Sequence, residues 1–155
     1  MRRLLTALVT TIALLGLAGC SLFEDSDREK IEKIIDKEGG FAVFLSPNVT
    51  EPQKTAIEQE LSGLPEVTTV TFESSDEAYR KFKELWADDP KFVESVNPDS
   101  LPPSFKVRMT GAEATRALRD SESAARLNKL PGVTSILFNC MDYDECKKLM
   151  EEVES

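Results

Sequence analysis

Apolar positions along the 155-residue chain change their spacing several times, and each change marks an element. Leu4 to Leu17 is an unbroken run without charge. Residues 27–38 place Ile31, Ile34 and Ile35 on one stripe among Glu/Lys pairs and end at Gly39-Gly40, which predicts a helical stalk with a glycine hinge. Phe41-Ala42-Val43-Phe44-Leu45 and Phe105-Lys106-Val107-Arg108-Met109 read as strands, the second with clear alternation. Each leads to capping-box spacing, Thr50-x-x-Gln53 with Pro52 in the first turn and Thr110-x-x-Glu113. The helices that follow carry Ala56, Ile57, Leu61 and Leu64, then Ala114, Ala117, Leu118 and Ala125, on single faces.

Those two segments close in the same way. LSGLPEVTTVTF at 61–72 and LNKLPGVTSILF at 127–138 share L-x-x-L-P-x-V-T-x-[V/I]-x-F. Proline excludes the α conformation from its predecessor, so each helix stops before Pro65 or Pro131 and a strand begins. In these strands Val70 and Phe72, and Ile136 and Phe138, alternate with Val67, Thr69 and Thr71, and with Val133, Ser135 and Leu137. The chain is therefore βαβ, an insert, then βαβ. The expected fold is α+β, a duplicated βαβ ferredoxin-like sheet domain over 41–138, with a small helical lobe inserted at about 74–103.

The insert opens with Ser74-x-x-Glu77, a capping box for a helix reaching about Ala87. At about 100° per residue, Ala78, Phe82 and Leu85 form the centre of its stripe, with Tyr79 and Trp86 at the margin. A short helix after Asp89-Pro90 groups Phe92, Val93 and Val96. Two short helices bury little surface, so their aromatics either stay exposed as a docking patch or are consumed by packing on the sheet. In residues 139–155, Asp142-x-x-Glu145 opens a last helix. Its Cys146, Leu149, Met150 and Val153 face one way, as expected of a helix packed on the domain.

The N-terminus adds an address. Met1-Arg2-Arg3 is a basic start to the apolar run, which ends in Leu17-Ala18-Gly19-Cys20. This reads as a cleaved export signal, residues 1–19, the alternative being an uncleaved anchor helix. The L-A-G-C ending resembles the bacterial lipobox, which implies lipid (acyl chains such as palmitate) on Cys20, the first mature residue, residues 20–40 then forming the lipidated N-terminus and stalk. One acyl chain binds a membrane marginally and two or three bind it stably. Cys140 and Cys146 then remain as an even pair in an oxidising compartment, either a disulfide or two free thiols.

Charge and composition remove several functions. The formal charge is −9, and loss of Arg2 and Arg3 with the leader would take it to −11, so nucleic acid and anionic membrane surfaces are poor ligands. With no histidine, Ser-His-Asp triads and Cys-His pairs are excluded, and the usual zinc sites with them. Cys140-x5-Cys146 is not a metal or redox spacing, and no cofactor is implied. Carboxylate pairs such as Asp88/Asp89 and Asp142/Asp144 sit where acidic residues cap helices or face water. The chain reads as a non-enzyme.

Four stretches together resemble a known family: FLSPNVT at 44–50, LPEVTTVTFESSDEA at 64–78, NPDSLPPSFKVRM at 97–109 and LPGV at 130–133. They are similar to the extracellular domain of FtsX, the cell-division permease-like protein, in an actinobacterial-looking form. The resemblance implies an extracytoplasmic α/β lobe plus helical lobe that docks a peptidoglycan hydrolase or its activator. By position, Tyr79, Phe82, Trp86, Phe92 and Val93 carry the docking. FtsX itself has four membrane spans and works with an ATPase, whereas here a lipid signal stands where the first span would be. What remains is a lipid-anchored binding module on the outer face of the cell membrane. A small-ligand lipoprotein, holding a peptide or glycan between lobe and sheet, is the alternative.

Overall fold

The computed structural model describes residues 19–97 and 100–154, the side chains of 19–27 and 153–154 excepted. The apolar leader therefore lies outside the described residues. Eleven elements follow in order: α1 (Gly19–Lys37), β1 (Gly40–Leu45), α2 (Glu51–Ser62), β2 (Val67–Glu73), α3 (Ser75–Leu85), α4 (Pro90–Ser95), β3 (Ser104–Met109), α5 (Ala112–Arg119), α6 (Glu122–Leu127), β4 (Val133–Phe138) and α7 (Tyr143–Glu154). The chain divides between Ile34 and Ile35, and the larger unit, Ile35–Ser155, holds every strand. In the smaller unit, α1 carries the i,i+4 ion pairs Arg28–Glu32 and Glu29–Lys33.

The sheet has the order β2-β3-β1-β4, and every neighbouring pair is antiparallel. This is the split βαβ arrangement expected of the duplicated sequence: the central strands β1 and β3 each open one unit, and β4 and β2 close them at the edges. Register builds two rows across the core face. Phe72, Phe105, Val43 and Ile136 form one, and Val70, Val107, Phe41 and Phe138 the other. Helices α2, α5 and α6 cover this face with Ile57, Leu61, Leu118 and Leu127, all buried. Phe105, at the centre, is fully enclosed, and burying such a side chain stabilises by roughly 2–3 kcal/mol.

The shared Val-Thr dipeptide has a physical explanation. Both closing strands carry a bulge at the same place in the repeat, where Thr68 and Thr134 have no partner opposite them. The bulge returns Val67 and Val133 to the core side, opposite Met109 and Leu45. Each extra threonine donates its hydroxyl to the neighbouring strand, Thr68 to the Arg108 carbonyl at 3.2 Å and Thr134 to the Phe44 carbonyl at 3.0 Å. The residue after each proline, Glu66 or Gly132, has positive φ, 64° and 97°. Its carbonyl accepts from the residue just beyond the facing strand, Thr110 at 3.0 Å and Ser46 at 2.8 Å.

Several expectations need correction. Thr110 does not cap α5: its hydroxyl donates to Glu66 at 2.8 Å. The N-cap is Gly111, and Asp36, from the end of α1, accepts from the Ala112 N–H at 3.0 Å. A carboxylate distant in sequence thus replaces the local cap. The helix expected to continue past residue 119 breaks at Asp120. Ser121 donates to the Leu118 carbonyl at 2.6 Å and accepts from the Ser123 N–H at 3.2 Å, so local bonding outcompetes helix continuation. Ala117 and Ala125 consequently face solvent, while Thr115 and Leu127 are buried.

The glycine pair is not a hinge. A Cβ on Gly39 would lie 2.5 Å from the Gly111 carbonyl carbon, and one on Gly40 would meet the Val107 carbonyl oxygen, so both are glycine because backbones touch. The start of helix α7 is fastened to the domain. Cys140 and Cys146 form a disulfide, Arg116 donates to the Met141 carbonyl at 3.0 Å, and Arg119 pairs with Glu145 at 2.9 Å. Leu149 and Met150, expected to pack, are exposed.

Candidate functional site

Helix α3 starts from the capping box read in the sequence: Ser74 accepts from the Glu77 N–H at 3.2 Å, and Glu77 accepts from the Ser74 N–H at 3.0 Å. The bonds that Glu77 accepts from the Ser74 N–H and hydroxyl hold its carboxyl below its ordinary value. The helix ends at Leu85, and Trp86 is its C-cap, donating its backbone N–H to the Phe82 carbonyl at 3.0 Å. Asp89 then caps α4, accepting from the Phe92 N–H at 3.1 Å, with Pro90 filling the first helical position.

Between these helices the lobe's aromatics form a chain of contacts. Ring centroids are 6.3 Å apart for Tyr79–Phe82, 5.6 Å for Phe82–Phe92 and 4.9 Å for Trp86–Phe92, the last two edge to face. Neither helix has a buried residue. Trp86 keeps 44% of its surface in water and Phe92 39%, while Tyr79, Phe82 and Val93 are half-buried. All five residues assigned from the sequence thus belong to one lobe, with Trp86 and Phe92 at its surface. Leu85 departs from the helical-wheel reading. Placed at the centre of the stripe, it is 78% exposed, because α3 ends there and the chain turns away.

Sequence reasoning missed a polar anchor under α3. Glu73, the last residue of β2, is only 7% exposed. It accepts from Lys81 of α3 at 2.6 Å and from Lys106 of β3 at 3.0 Å. Burial, the largest single influence, pushes the Glu73 carboxyl up; the bonds and charges of the two lysines together outweigh it and hold the group below its ordinary value. The bond to Glu73 in turn holds Lys81 above its ordinary value. The signal available was slight: a charged residue directly continuing an alternating strand, two helical turns before a lysine.

This anchor sets α3 over the sheet face opposite the core. A cleft of about 340 Å³ lies between them. Ala42 and Phe44 of β1 form its floor with Ser104 and Lys106 of β3 and Glu73. Ala78, Lys81, Phe82 and Leu85 of α3 form one wall, and Leu101-Pro102 closes an end. The lining is mainly apolar, and its charged members are Glu73, Lys81 and Lys106. Among the described residues, no group of three or more His, Cys, Asp or Glu could hold a metal ion, and no helix is long and apolar enough to cross a membrane.

Comparison with known proteins agrees with the architecture. The family model for the FtsX extracellular domain matches residues 40–141. Among solved structures, the chain is similar to extracellular domain 1 of FtsX from Streptococcus pneumoniae, crystallised in complex with undecyl-maltoside. The identity is 19% and the TM-score 0.50, over 66% of this chain and 95% of that one. A solution structure of the large extracellular loop of FtsX in Streptococcus pneumoniae matches with 21% identity and TM-score 0.48, over 64% and 98% of the two chains. No curated protein matches.

Proposed function

The chain belongs to the family of FtsX extracellular domains, and from that premise we propose that it is a membrane-anchored, non-catalytic binding module of the cell envelope, docking a peptidoglycan hydrolase or another division protein through its helical lobe. The observation that carries this reading is the lobe surface itself. Trp86 and Phe92 pack edge to face yet stay exposed, on two helices with no buried residue. Such aromatics contribute most of the energy in many protein interfaces. Glu73 with its two lysines, and the sheet below, give this patch a rigid base.

Two experiments test the proposal. A double variant, Trp86→Ala with Phe92→Ala, loses an envelope protein that the wild type captures from extract; identical captures from both would refute docking through the lobe. Lipid on Cys20 would hold the protein at the membrane, and Cys20→Ser would release the mature domain or leave it unprocessed. Unchanged fractionation and processing would rule out that anchor.

A second reading, a small-ligand module, is favoured by the cleft between α3 and the sheet. The pneumococcal domain of the same fold was crystallised in complex with undecyl-maltoside, an amphiphile with an aliphatic chain and a sugar head.

A further inference from the structure

The lining of the cleft has a chemical asymmetry. Its floor and wall offer Phe44, Phe82 and Leu85, a surface for an aliphatic chain. Its charged residues are two lysines and one carboxylate, so the cleft carries one net positive charge in a chain of net charge −9. Glu73 accepts one bond from each lysine, while the ammonium groups each have donors to spare and both lysine side chains are more than half exposed. A single anionic oxygen group could therefore bridge Lys81 and Lys106 without displacing Glu73. A cationic head would meet net repulsion there, and a neutral head could accept from the lysines but would gain no ion pair.

We infer that this cleft binds a single-chain amphiphile with a singly charged anionic head, its tail along Phe44, Phe82 and Leu85 and its head on Lys81 and Lys106. This deepens the second reading above and rests on it. The volume lies within the range of small-molecule sites, and the mixture of apolar walls with a few convergent polar groups is how such sites fix orientation.

The test uses the chain from residue 20 onward with Cys20→Ser, which contains the whole compact unit, purified without detergent. Decanoate, decyl maltoside and decyltrimethylammonium, each below its micelle concentration, are titrated by calorimetry. Decanoate is expected to bind about tenfold more tightly than the maltoside, the cation weakest of the three. Lys106→Met should abolish the preference for decanoate and also lower the melting temperature, because Glu73 loses one of its two partners, whereas Lys106→Arg, which keeps the charge, should keep both the preference and the melting curve. Leu85→Ser, at a position too exposed to affect folding, should weaken all three. Trp86→Ala, outside the cleft, should change none of them. Equal affinity for decanoate and maltoside would overturn the anionic-head inference and leave the cleft reading standing. No binding by any of the three would overturn both.

Discussion

In the sheet layer, Phe105 is fully buried between Val43 and Phe72 and beneath three helices, whereas in the lobe Phe92 touches Phe82 and Trp86 and still keeps 39% of its surface exposed. The same side chain thus serves opposite ends. The sheet layer has two helix-covered rows of apolar residues, so its aromatics fix the fold. The lobe has two short helices in which no residue is fully buried, so Trp86 and Phe92 are left at the surface. The two regions meet at Glu73, a buried carboxylate that fastens α3 to β2 and β3. A polar fastening holds the lobe in place without consuming its apolar surface.

Substitutions can break this contrast, beginning where it is largest. Phe105→Ala should cost about 3–5 kcal/mol in denaturant unfolding, enough to remove most of a marginal stability. Phe92→Ala should cost only about 1–2 kcal/mol in the same measurement, because less surface leaves water there and the lobe can collapse around the gap. Comparable losses would show that the lobe is part of the core.

The two units differ at the residue after proline in a way that stability measurements can sharpen. Gly132→Ala should cost about 1–2 kcal/mol, since φ is 97° and the new Cβ would lie 3.0 Å from a Val49 methyl. Glu66→Gly, the reverse change at the equivalent position, should stay within about 0.5 kcal/mol. Relief at φ 64° is offset there by loss of the 2.8 Å bond from Thr110.

Acid should loosen the lobe before the sheet. The folded-state pKa of Glu73 lies below its ordinary value of 4.5, so its contribution is present above that pH and is lost as pH falls through the depressed folded value. Hydrogen exchange in α3 should accelerate in that window while β1 and β3 stay protected. Glu73→Gln should reduce this pH dependence to the share of Glu77, which caps the same helix and is also held below its ordinary value; an unchanged dependence would assign the effect to other carboxylates. Smallest of all, Leu85→Ala should change stability by less than about 0.5 kcal/mol, which a helix-centre role for Leu85 would contradict.

Much of this was legible in the chain, for identifiable reasons. The L-P-x-V-T repeat, the alternation around Phe105 and the capping boxes at Thr50 and Ser74 are local signals, decided within a few residues, and the structure contains them as read. The disulfide between Cys140 and Cys146, left open against two thiols, is formed. The failures share a cause. Asp36 capping α5, Glu73 reaching Lys106, and Gly39 against Gly111 each join residues more than thirty positions apart, where periodicity carries no information. Leu85 fails differently, since a helical wheel assumes a helix that continues, and this one ends.

By itself, then, the sequence determined the duplicated units, their strands and helix starts, the inserted lobe and the absence of histidine chemistry, because each depends on short-range sterics, hydrogen bonding or residue type. Only the tertiary structure decided the strand order, the burial of Glu73 between two lysines, the cleft beneath α3 and the exposure of Trp86. Those depend on which surfaces meet, and a charged residue at a strand end is solvated or buried according to partners that come from elsewhere in the chain.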